Sequence, residues 1–177
     1  MSILDFAMKP FYILLALFFA PALTKAQDSC KIKKETDSYT KQTKLSTGFI
    51  SFPTEEAKVA ISIDATATEI DFFVWVREEG KCFDDQSTAQ VNYEGDRLKA
   101  NFKNTGSMNC QGAFHFNFKN SQTIPSNLKR FTEKGVASIK ITGPNKTITQ
   151  VTFNDAQKKQ FQKMVNCMVL QSKTLIK

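Results

Sequence analysis

The chain has 177 residues, 41% hydrophobic and 23% charged, and carries a formal net charge of +7. That length is one domain's worth, enough to bury a core without depending on disulfides. No internal repeat or low-complexity stretch is visible, and no linker splits the chain. Arg77, Arg97 and Arg130 are the only arginines. Dispersed lysines mainly solubilise, whereas phosphate recognition favours arginine's bidentate fork, so nucleic acid is not an expected partner.

Lys9 precedes an apolar run from Phe11 to Ala20, broken by Pro21 and closed by Ala22 and Leu23. Thr24-Lys25-Ala26 then sets small residues at the two positions a signal peptidase reads. A short positive region, an apolar core of about a dozen residues and a small-x-Ala site form the secretory pattern. The run is shorter than the ~20 residues a membrane-spanning helix needs. Gln27-Asp28-Ser29 ahead of Cys30 lacks the aliphatic residue of a lipobox. The expected organisation is therefore a signal peptide at residues 1–26 and one exported globular domain at residues 27–177. The expected mature form has no membrane span and is secreted, to the periplasm or the extracellular space.

Cys30, Cys82, Cys110 and Cys167 lie beyond the cleavage site. An even number in an exported domain reads as disulfides, with three possible pairings. No Cys-x-x-Cys occurs, so neither a zinc knuckle nor a thioredoxin-type redox site is indicated.

Residues 29–47 are rich in Lys and Thr. They suit an edge hairpin, or an extended arm that touches the core through Ile32, Tyr39 and Leu45. Val59, Ile61 and Ile63 alternate with Ala60, Ser62 and Asp64, predicting a half-buried strand. Ile70 to Val76 is β-branched and aromatic with little alternation, predicting a central strand covered on both faces. Glu78-Glu79-Gly80 turns the chain. Val91 and Tyr93 lead through Glu94-Gly95-Asp96 to Leu98, Ala100 and Phe102, a hairpin. Phe114, Phe116 and Phe118 alternate with His115, Asn117 and Lys119, a strand with one buried face. Ser126 is placed to cap a helix from Asn127 to Lys134, ended by Gly135. Strands at Val136–Thr142 and Thr147–Phe153 flank a turn at Gly143–Lys146. Asn154 and Gln157 resemble a capping box opening a terminal helix. Its Phe161, Met164, Val165, Met168 and Val169 make one apolar stripe, with Cys167 at the edge.

These elements predict an α+β fold: mainly antiparallel β-sheet, sandwich- or barrel-like, with one short internal helix and a C-terminal amphipathic helix. They also favour bridges Cys82–Cys110, joining two strand ends, and Cys30–Cys167, tying the polar arm to the terminal helix. The other two pairings stay open on sequence alone.

Candidate chemistry is sparse. His115 is the single histidine; its polar neighbours place it toward solvent, and a catalytic His needs an orienting acid and a nucleophile beside it. The acid pairs Glu55-Glu56, Glu78-Glu79 and Asp84-Asp85 are sequence neighbours, which on a strand point to opposite faces. Asp84-Asp85-Gln86-Ser87 lacks the spacing of a calcium loop. Asn145-Lys146-Thr147 is a glycosylation sequon, relevant in a eukaryotic source. Of sixteen phenylalanines, only Phe6, Phe11, Phe18 and Phe19 precede residue 27. They read as core filler, or alternatively as the lining of a cavity for an apolar ligand.

Cys30, Thr36-Asp37-Ser38-Tyr39-Thr40-Lys41, Cys110, the run Leu128 to Ile141, and Val165-Asn166-Cys167 follow one another in an order that resembles small exported proteins of Bacteroidota-type bacteria, a group without an assigned function. The resemblance implies the periplasm or extracellular space of a Gram-negative cell and carries over no catalytic residue. The expectation is a non-enzymatic module, without catalytic, metal or cofactor site, that binds an envelope or extracellular protein or glycan. A lipocalin-like carrier of a small apolar ligand is the alternative; an enzyme with a carboxylate-only site comes third.

Overall fold

The computed structural model describes residues 30–176. The expected signal peptide, residues 1–26, lies outside the described residues. The first sheet contains β1 (Lys33–Thr36), β2 (Thr43–Ser46), β3 (Ile50–Pro53), β4 (Lys58–Ala65), β5 (Glu69–Val76) and β8 (Ala113–Lys119). Its order is β1-β2-β4-β5-β8, with β3 also on the β4 edge. The second contains β6 (Thr88–Tyr93), β7 (Lys99–Lys103), β9 (Val136–Thr142) and β10 (Ile148–Thr152), in the order β10-β9-β6-β7. Every pairing is antiparallel. With α1 (Ser126–Glu133) and α2 (Asp155–Ser172) the fold is α+β, built from two open sheets and no closed barrel.

Alternation decides what each sheet buries. Val59, Ile61 and Ile63 of β4, Ile70, Phe72 and Val74 of β5, and Phe114, Phe116 and Phe118 of β8 point into one core. Ala89, Val91, Ala100, Phe102, Ile139 and Ile141 supply it from the second sheet. Phe131 of α1 sits at its centre: its ring lies 5.2 Å from Phe72, 5.5 Å from Tyr93, 5.7 Å from Phe102 and 6.1 Å from Phe161. Phe102 and Phe116 stack at 4.4 Å. Each such ring stabilises the fold by about 2–3 kcal/mol through apolar burial. The stripe Phe161, Met164, Val165, Met168 and Val169 turns α2 toward the same core. Asn154 caps α2: its side chain accepts from the Gln157 N–H while Gln157 accepts from the Asn154 N–H.

The bridges join Cys30 to Cys167 and Cys82 to Cys110, with Cα separations of 5.7 and 3.8 Å. The first fixes the N-terminal arm to α2. The second closes the strand-end region where Phe83 and Asn109 exchange backbone hydrogen bonds of 2.8 and 2.9 Å. Two disulfides are consistent with an extracytoplasmic location.

Five sequence expectations need correction. The strand with Val59, Ile61 and Ile63 is not half-buried, since Ala60 and Ser62, in register beside Trp75 and Phe73, are buried too. Tyr39 does not reach the core. It stands at the tip of the β1–β2 hairpin, 95% exposed, because Asp37 Oδ1 accepts the Tyr39 and Thr40 N–H groups and closes the turn there. The run Ile70–Val76 is not covered on both faces; Asp71, Phe73 and Trp75 lie on an outer face on which no other element packs flat among the described residues. Ser126 does not cap α1. Pro125 occupies the N-cap without a side-chain hydrogen bond, and Ser126 is already helical. Gly135 does not end α1 with a left-handed residue, since Lys134 is the C-cap in extended conformation and the chain runs directly into β9.

Candidate functional site

The outer face of the first sheet gathers the chemistry. Along β5 the outward positions are Glu69, Asp71, Phe73 and Trp75. Register sets Ala60 and Ala113 beside Trp75, Ser62 and His115 beside Phe73, and Asp64 and Asn117 beside Asp71. Small neighbours flank the indole, so it lies open across the sheet and is 38% exposed.

A β-bulge adds the third ring. β2 and β3 run along the same edge of β4, yet Leu45 pairs with Ala65 whereas Ile50 pairs with Ile61, one residue out of step. The extra residue falls in Thr47-Gly48-Phe49, where Gly48 has φ +63°, a conformation that suits glycine. Without the shift Phe49 would share the inward phase of Leu45. With it, Phe49 swings outward, 51% exposed, with ring centroids 5.4 Å from Phe73 and 5.8 Å from Trp75. Trp75 is fixed in place: its Nε1–H donates to the Gln111 carbonyl at 2.9 Å, and the Arg77 guanidinium lies 4.9 Å from its ring centre.

Beyond the rings the face turns polar. His115 stacks on Phe73 at 5.5 Å, and its Nδ1 lies 3.4 Å from Asp71 Oδ2. Burial is the largest influence on Asp71 and raises its carboxyl above the ordinary value, with the nearby His115 opposing the shift. Asp71 Oδ1 is buried and has no hydrogen-bond partner among the described residues. The orienting acid for His115 was missed in the sequence because Ile70–Val76 reads as a strand with no free face. Asp71 and His115 are diagonal neighbours on adjacent strands, a relation visible only once β5 and β8 are paired. The rest of a catalytic arrangement does not follow. Gly106 packs so closely on His115 Nε2 that a Cβ there would collide with the ring. Thr105 Oγ1 donates to the His115 carbonyl at 3.1 Å, which commits its proton.

No family model, curated protein or solved structure matches this chain.

The remaining candidates are scattered. Asp84 Oδ1 accepts from the Ser87 hydroxyl at 2.7 Å and the Gln86 N–H at 3.1 Å, which lowers its pKa and folds the acid loop on itself. Among the described residues no group of three His, Cys, Asp or Glu side chains could hold a metal ion. Glu78 pairs with Lys81 at 3.1 Å, and Glu55 and Glu56 line an open cleft at the start of α2. Asn145 of the sequon sits in an exposed turn before β10. A cleft of about 250 Å³ beside the Cys30–Cys167 bridge is lined by Ile32, Ile50 and Met164.

Proposed function

We propose that this protein is a non-enzymatic exported binding module that engages a protein of the cell envelope or extracellular space through the aromatic patch on β5. The observation that carries the reading is the cluster of exposed Phe49 and Trp75 on half-buried Phe73, with Arg77 over the indole. Contiguous apolar surface of this kind marks interaction sites on soluble proteins. Tryptophan and arginine are the residues that most often dominate binding energy. Trp75 is already held by Gln111 and Arg77, so little ordering cost remains when a partner docks. Export rests on the leader pattern of residues 1–26, and two disulfides fit the same compartment.

Two physical points favour this over the carrier. The rings of Phe72, Phe102, Phe116 and Phe131 fill the space between the sheets that a carrier would keep open. The cleft beside the Cys30–Cys167 bridge is also smaller than the ~300–1,000 Å³ of ligand pockets. An enzymatic reading is disfavoured by His115, whose Nε2 is packed against Gly106.

The test is affinity capture from envelope and extracellular fractions, with wild type, Phe49→Ala/Trp75→Ala and Tyr39→Ala as baits. A protein retained by wild type and Tyr39→Ala but lost from the double variant supports the assignment. Equal retention by the double variant, with its fold checked by circular dichroism, overturns it.

A further inference from the structure

The outer face of the second sheet differs in kind from the aromatic one. Its outward positions on β6, β7, β9 and β10 carry Lys99, Lys103 and Lys140 and otherwise hydroxyl or amide side chains, with Ile148 the apolar exception. None is a carboxylate and none is aromatic. Acids stand only at its margins: Glu56 meets the Thr152 corner, and Asp96 accepts from the Leu98 N–H in the turn before β7. The first sheet's outer face, by contrast, intersperses its charges: Lys44 pairs with Asp64 at 2.7 Å, and Glu69 and Asp71 lie beside them. Solubilising charge ordinarily comes mixed in this way, and a patch of one sign calls for a separate explanation.

Register fixes the layout of the three cations. Asn101 pairs with Gln90 and Gln90 with Lys140, while Lys99 and Lys103 lie two residues to either side of Asn101 on β7. At about 3.4 Å per residue and 4.8 Å between strands, Lys99 and Lys103 are about 14 Å apart, and each is about 12 Å from Lys140. Among the described residues Lys103 and Lys140 have no partner. Lys99 Nζ donates to Gln90 Oε1 at 3.3 Å, and Gln90 Nε2 donates to Asn101 Oδ1 at 3.2 Å. The amides between the cations are thus already oriented by one another.

From this layout we infer that the outer face of the second sheet binds an acidic polysaccharide, one whose carboxylates are separated by intervening neutral sugars. Three points select that occupant. The cations demand an anion, and their wide spacing matches a polymer charged on every second sugar. A nucleic acid, with a phosphate about every 3.4 Å along each strand of a duplex, fits it poorly. Gln90 and Asn101 supply the neutral donors and acceptors that sugar hydroxyls require between charges. The face offers no ring on which the bases of a single strand could stack. This surface is separate from the aromatic patch, so the two readings stand or fall independently.

Hyaluronan, with one carboxylate per disaccharide, is the probe, measured against the whole purified protein at low and physiological salt. Neutral dextran, a dT oligonucleotide and anionic phospholipid vesicles are the comparison ligands. Wild type should bind hyaluronan more tightly than any of these. Lys99→Gln/Lys103→Gln/Lys140→Gln should weaken binding about tenfold, a few-fold per lysine. Lys33→Gln/Lys34→Gln removes two cations from the exposed β1 hairpin and should change it less than about twofold. The inference is overturned if the triple variant binds like wild type, or if the hairpin variant loses as much. Tighter binding of the oligonucleotide or the vesicles overturns it too. Thermal melting of both variants shows that the fold is retained, as expected for exposed Lys→Gln changes.

Discussion

Replacing Phe131 with alanine tests whether the phenylalanines form one packed interior. The side chain is fully buried on the eight-residue helix α1 and lies against rings from both sheets and from α2. Truncation loses the transfer free energy of a whole ring. It also leaves a cavity that the surrounding aromatics cannot easily close, because each is held by its own strand or helix. The combined cost of such a change is about 3–5 kcal/mol, a large part of the ~5–15 kcal/mol that stabilises a typical domain. Phe49→Ala removes the same ring from a half-exposed site and should cost about 1 kcal/mol or less. Trp75 is the single tryptophan, so urea unfolding followed by its fluorescence and by circular dichroism reads both variants. The expected result is a large fall in the Phe131→Ala midpoint with an unchanged slope, and a small one for Phe49→Ala. A loss below about 1.5 kcal/mol for Phe131→Ala would show that its surroundings are loose or hollow, and would revive the carrier reading.

The buried carboxyl of Asp71 gives a pH prediction. A carboxyl whose pKa is raised on folding favours the native state below the ordinary carboxylate range, and that contribution is lost as pH rises through its folded value. Ionised Asp71 is therefore a burden at neutral pH. Asp71→Asn should exceed wild type in stability at pH 7 by a margin that shrinks toward pH 3. Urea midpoints at the two pH values decide it, and a margin that grows in acid refutes the account. For the bridges, loop entropy predicts that Cys30→Ser/Cys167→Ser costs up to about 5 kcal/mol and Cys82→Ser/Cys110→Ser up to about 3.6 kcal/mol. Thermal melting compares them, and the reverse order would show that strain or denatured-state structure outweighs loop length.

Alternation and capping are local properties, and the sequence by itself determined what depends on them. Phe114, Phe116 and Phe118 point one way because a strand has period two. α2 begins at Asp155 because Asn154 and Gln157 satisfy each other's backbone groups. Cysteines that follow or precede particular strands could be paired by asking which segments lack apolar surface of their own. Only the tertiary structure decided which faces are covered. Phe73 and Trp75 are as apolar as Phe72 and Val74, so composition marks both faces of β5 as interior, but the helices and the second sheet all pack on one side. Phe49 reaches the outer face through a one-residue register shift that costs the sequence a single glycine. Asp71 meets His115, and Lys140 comes to share one face with Lys99 and Lys103, only through strand pairing. Those relations depend on how strands far apart in the chain align, and no window of neighbouring residues contains that information.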